Sequence, residues 1–167
     1  MTLDQFWTIV EKIHHVSRGD MDRKCELLDK ELRSLSVDEV VSFQRHFDEC
    51  ADRAYTWDLW AAAYIIGGGC SDDSFSDFRS TLISMGRQTF ERAVADPESL
   101  AEMDYDADIA QYEGYQYVAT AVVSDLGGGK TFPRAKPHPA EPFGETWEED
   151  DVAKVCPKLA KRYDYAG

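Results

Sequence analysis

The sequence predicts an all-α fold: a single globular helical domain of roughly six or seven helices, with a Pro/Gly-rich loop ahead of a C-terminal helical segment. Three observations carry this. Apolar residues recur at three- and four-residue spacing through most of the chain, the period of a helix with one buried face. Residues that cap helix starts stand just ahead of these runs. No segment alternates with period two, and no internal repeat divides the chain. At 167 residues the chain can bury one sizeable core.

Thr2 with Gln5 forms a capping box ahead of Phe6, Val10 and Ile13, so a first helix is expected to about Ser17. Arg18-Gly19-Asp20 breaks it. That triplet is an integrin-binding string in extracellular proteins, and it is read here as chance. Leu28, Leu32 and Leu35 mark a second helix from about Met21. Ser36 with Glu39 is another capping box, and Val40, Phe43, Phe47, Cys50 and Ala54 define a third, strongly periodic helix. The sequence leaves open whether that helix runs straight into the next or bends at Tyr55-Thr56.

Trp57 to Ile66 is rich in Ala with only Asp58 charged, which suits a helix buried on most sides. Gly67, Gly68 and Gly69 end it. Ser71, Asp72 and Asp73 then offer oxygens to the free amides of a new helix, whose stripe is Phe75, Phe78, Leu82 and Met85. This second arm of a helical hairpin is expected to extend through Phe90 and Val94. Asp96-Pro97 caps and starts a short helix. Ile109, Tyr112, Gln116, Ala119 and Val123 predict a further helix that ends before Gly127. Residues 127–147 read as an extended loop, and residues 148–167 as a final helical segment, acidic first and basic last, as a helix dipole favours. Pro157 starts or kinks its last piece. The domain proper is expected over 1–126, with the final segment packed on it.

The Gly67–Arg79 corner is where chemistry would lie. Amides at a helix start attract anions and favour a thiolate, so Cys70 is the candidate nucleophile, with Asp72, Asp73 and Arg79 beside it. The adjacent aspartates oppose a thiolate, and buried Cys is common as a small hydrophobe. Arg79 is expected to pair with Asp72, Asp73 or Asp58. Trp7, Trp57 and Trp60 are expected to be buried with Phe43, Phe47, Phe78 and Leu82 as the main core.

The residues FW at 6–7, DLWAAAYIIGGGCSDDSFSDFR at 58–79, LISMGR at 82–87 and DPESLA at 96–101 resemble a bacterial family catalogued as domain of unknown function 4240. The resemblance runs from about Thr2 to Leu126, and GGCSDD-F-DFR is its specific part. The family pattern commonly has a Trp near position 81, where this chain has Thr81, which weakens any role for an aromatic there. The resemblance implies a helical domain; it implies no activity and no catalytic residues.

The formal charge is −14, and from Ala93 to Gly129 the sequence has eight acids and no lysine or arginine. Such a surface repels nucleic acid and attracts basic proteins. The partner-binding candidates are therefore Glu102, Asp104, Asp106 and Asp108, with Glu148, Glu149, Asp150 and Asp151. No run approaches the roughly 18 apolar residues of a membrane span, and MTLDQFW lacks a secretory pattern, so a cytoplasmic location is expected. Cys25, Cys50, Cys70 and Cys156 have no paired spacing, which favours reduced thiols over a zinc site. GGGKT at 127–131 fails as a phosphate-binding loop, because Ser124 stands at the first glycine position and Pro133 blocks the following helix. His46 would need the fold to bring it to Cys70, and His14 and His15 point apart on a helix. No cofactor or metal is expected. The leading reading is a non-enzymatic acidic interaction module for a basic partner, of the kind that includes immunity and antitoxin proteins. An enzyme at the corner and an accessory or structural domain are the alternatives.

Overall fold

A computed structural model describes residues 1–103, 107–129 and 132–165. Among them seven helices have nine residues or more: α1 Leu3–Ser17, α2 Met21–Leu32, α3 Val37–Arg53, α4 Trp57–Gly67, α5 Asp72–Ser84, α6 Arg87–Ala95 and α7 Tyr115–Leu126. Short α8 (Val152–Val155) and α9 (Pro157–Arg162) follow, and 3-10 turns span Pro97–Glu102, Ala107–Ile109 and Glu149–Asp151. The described residues contain no strand, and Thr56 and Phe143 form an isolated parallel bridge.

Both capping boxes close. The Gln5 amide donates to Thr2 and the Thr2 amide to the Gln5 side chain, at 3.3 and 2.8 Å; Ser36 and Glu39 repeat this. Arg18 adopts the left-handed conformation that ends α1, and Asp20 accepts the Arg23 amide at 2.8 Å to start α2. The RGD triplet is thus a break and a cap. Between α3 and α4 the chain bends: Ala54 closes α3, and Thr56 caps α4 by accepting the Leu59 amide.

α5 is the axis of the fold. It packs against α1, α3, α4, α6 and α7, and its residues from Phe78 to Ser84 are all buried. It does not run on through Phe90. Gly86 sits at φ 98°, a backbone that side-chain-bearing residues rarely adopt, and a separate α6 begins at Arg87. The expected helix from Ile109 is likewise shorter: it starts at Tyr115, after a turn in which Gly114 takes φ 136°.

The core contains Trp7, Phe43, Phe47, Phe78 and Leu82 as expected. Trp57 and Trp60 are only half-buried. Their rings stack at 5.2 Å, and Trp60 stacks on Phe75 at 4.9 Å, building an aromatic row at the domain edge. The chain from Phe132 to Trp147 is a strap held to the α3–α4 bend. The Phe143 amide donates to the Tyr55 carbonyl, the Trp57 amide to the Phe143 carbonyl (both 2.9 Å), and the Trp147 indole to the Trp57 carbonyl at 2.8 Å. α8 and α9 then lie on α4 and bury Val152, Cys156 and Leu159. The Glu98 carboxylate accepts the Lys158 and Leu159 amides at the start of α9.

Candidate functional site

A cleft of about 490 Å³ opens between α3, α5, α7 and the strap, a volume in the range of small-ligand sites. α3 contributes Gln44, Phe47, Asp48 and Ala51; α5 contributes Ser76, Arg79 and Ser80; α7 contributes Gln116, Tyr117 and Thr120; the strap contributes Phe132, Arg134 and His138.

The rim on α3 is acidic and already occupied. Asp48 and Asp52 are four apart and so share a helix face. Asp52 accepts from Arg134 Nη2 at 2.6 Å and faces His138 Nδ1 at 2.7 Å. Asp48 accepts from Gln44 at 2.8 Å and lies 3.5 Å from Arg134 Nη1. Burial pushes the Asp48 carboxyl up, while the Gln44 amide and the Arg134 charge pull it down.

The floor carries Arg79. It does not pair with Asp72, Asp73 or Asp58. Its Nη1 donates to the Ala51 carbonyl at 2.9 Å and its Nε to the Phe75 carbonyl at 3.3 Å. Its guanidinium lies over the Tyr55 ring at 4.6 Å and the Phe75 ring at 5.0 Å. The Ala51 carbonyl near the end of α3 and the Phe75 carbonyl one turn back on α5 thus stand where carboxylates were expected. The helix spacing that brought Asp72 near Arg79 ignored α3, which supplies the closer acceptor. Burial pulls the Arg79 pKa down; Tyr55, Asp72 and Asp52 act in the opposite direction. Beside it, Ser80 is 2% exposed, and its hydroxyl has no hydrogen-bond partner.

The corner itself is not set up for nucleophilic attack. The Cys70 thiol faces the Ser71 carbonyl at 3.6 Å, and its own carbonyl accepts the Trp60 indole at 3.0 Å. Burial pushes this thiol up to about 12, with Asp77 and Asp72 adding to the rise, so a thiolate is scarce at neutral pH. His46 bonds the Met1 carbonyl at 3.1 Å and packs on Phe6, far along α3 from the corner. Asp72 is exposed and accepts from the Tyr55 hydroxyl at 3.5 Å; Asp73 is exposed. Asp77 accepts from the Gln116 amide, and burial raises its carboxyl. Among the described residues no group of three His, Cys, Asp or Glu could hold a metal ion.

The acidic candidates are only partly bare. Glu102 pairs with Arg92 and Asp151 with Lys154, bases just outside the acidic runs. The Glu149 charge helps to raise the Tyr64 hydroxyl, after burial. Glu148 and Asp150 are exposed, as is Asp108, and Asp104 and Asp106 lie outside the described residues. Ser80, Asp48, Asp52, Arg134 and His138 were missed as site residues. The four-residue spacing of Asp48 and Asp52 was a readable signal; nothing local marks Ser80 or the two strap residues.

An all-α domain with a polar cleft beside its central helix is the class of protein that fold and site define. A family model described as "Protein of unknown function (DUF4240)" matches residues 1–124. The chain belongs to that family, and the strap lies beyond the matched part. No curated protein and no solved structure matches the chain. Among the described residues no helix is long and apolar enough to cross a membrane.

Proposed function

We propose that this chain is a non-enzymatic interaction module that takes a basic, extended segment of a partner protein on the acidic rim of α3. One observation supports the reading: the chain's own strap, with Pro133, Arg134, Lys136, Pro137 and His138, already lays a basic, proline-rich segment there, with Arg134 and His138 on Asp52. A partner segment of the same chemistry would make the same charge-assisted bonds by displacing the strap. The charge of −14 would speed its approach. Immunity and antitoxin proteins, which neutralise basic toxins, are the class this charge suits. The exposed acids Glu148 and Asp150 form a second acidic surface that a larger basic partner would also meet.

The test is a fluorescence titration with a peptide of the strap sequence from Phe132 to Phe143. The wild-type strap competes at the high effective concentration of a tethered segment, so wild type should bind the peptide weakly. R134Q/H138Q, whose strap has lost its charges, should bind it several-fold more tightly, and added D48N/D52N should abolish the gain. Salt should weaken binding. Equal affinity for all three proteins would overturn the reading and favour an accessory domain.

A further inference from the structure

We propose that the floor of the cleft binds the carboxylate of a small organic acid whose apolar body lies against Phe47 and Phe132. This goes beyond the interaction reading, which concerns the acidic rim. Arg79 is 4% exposed, and a buried cation normally has a counter-charge. Among the described residues no carboxylate lies within ion-pairing distance of it. Two of its donor groups go to backbone carbonyls, and among the described residues Nη2 has no hydrogen-bond partner. Arg79 lines the cleft, so one oxygen of an arriving carboxylate would meet a charged donor there.

Ser80 is the independent second observation. Leaving a buried hydroxyl unsatisfied costs about 1–3 kcal/mol, and of the four buried hydroxyls without a partner among the described residues, on Ser80, Thr81, Ser99 and Tyr115, only that of Ser80 belongs to a residue lining this cleft. It follows Arg79 in the chain and lines the same cleft. One ligand oxygen accepting from Ser80 while the other accepts from Arg79 would satisfy both. The ring of Phe47, with Phe132 across from it on the strap, gives the rest of the molecule an apolar place to lie. The charge balance selects a monoanion. Arg134 is committed to Asp48 and Asp52, which leaves Arg79 as the one lining cation without an acid against it among the described residues. Asp52 and Asp72 act on Arg79 from further off and would repel a phosphate dianion more than a carboxylate.

The test is titration of the full chain with phenylacetate, its neutral isostere phenylacetamide, and inorganic phosphate, followed by amide shifts in nuclear magnetic resonance. Phenylacetate should give saturating shifts in α5 and α7 around Ser76, Ser80 and Gln116, and bind about tenfold or more tightly than phenylacetamide. S80A removes an unpartnered hydroxyl, so it should weaken phenylacetate several-fold without lowering the melting temperature of the free protein. R79K keeps the charge and loses the fork, and should weaken it further. Absence of saturating shifts, equal binding of acid and amide, tighter binding of phosphate than of phenylacetate, or indifference to S80A would each overturn the proposal.

Discussion

Lys24 offers the sharpest stability test, because its surroundings convert into a number with a sign. It is 1% exposed, and its ammonium donates to the Ser84 hydroxyl at 3.0 Å. Among the described residues no carboxylate pairs with it. Ser84 in turn donates to the Thr81 carbonyl at 2.7 Å. One neutral acceptor therefore serves three ammonium donors, and burial lowers the Lys24 pKa to about 8. A fall from the ordinary 10.5 to about 8 corresponds to roughly 3 kcal/mol against the charged form, at about 1.4 kcal/mol per pH unit.

Between those two values the unfolded chain holds the proton and the folded chain does not. Stability therefore rises with pH across that window, and the penalty is full below about pH 8. Lys24→Met keeps the length and removes the charge at the cost of one hydrogen bond of about 1 kcal/mol. The variant should be more stable at pH 7 by roughly 1–3 kcal/mol. Urea unfolding of both proteins at pH 7, 9 and 10 should show that advantage shrinking as pH rises; tyrosines and cysteines titrate in both and cancel in the difference. His14 supplies a second readout. Its pKa is lowered by burial first and then by the Lys24 charge, so it should rise in the variant. A variant less stable than wild type at pH 7 by more than about 1 kcal/mol, or an advantage that ignores pH, would refute the reasoning.

Arg79→Ala should cost about 2–4 kcal/mol, since it leaves the Ala51 carbonyl without its donor and strips a cation from two rings. Because the guanidinium pairs with carbonyls, that loss should be the same in low and high salt; a loss that fades in salt would restore a carboxylate partner. With its thiol pushed up to about 12, Cys70 should react with iodoacetamide at pH 8 at least about a hundredfold more slowly than a free cysteine. Fast labelling at that one position, followed by mass spectrometry, would return the corner to the list of catalytic candidates.

Local signals in the sequence were enough for the helices and their caps. Thr2 with Gln5, Ser36 with Glu39 and the glycines after Ile66 act on neighbours within one turn, so spacing alone reveals them. Lys24 was also legible in principle: it stands four residues before Leu28 and eight before Leu32, on the face that α2 buries, yet its charge argues for solvent. Spacing could not show that Arg79 would find the end of α3, because the acceptor is a backbone carbonyl 28 residues away. The strap was legible only as a loop. Its composition says nothing about which helix it crosses, and its place follows from the bond between Phe143 and the α3–α4 bend.

The polar residues of α5 separate what holds the fold from what the cleft can use. Arg79, Ser80, Thr81 and Ser84 are all nearly inaccessible, on a helix packed from five directions. Ser84 turns toward α2 and meets Lys24, which is 1% exposed. Arg79 and Ser80 turn toward α3 and α7, where the cleft adjoins them. Both sides leave polar groups under-satisfied, and the cleft adjoins Arg79 and Ser80. The Lys24 side should therefore gain stability when its charge is removed, since burial penalises that charge. On the cleft side, S80A should cost no stability and should weaken binding, because the missing partner there comes from solution. If both substitutions merely shifted the melting temperature, the cleft would be a packing defect and the polar residues of α5 would share one structural origin.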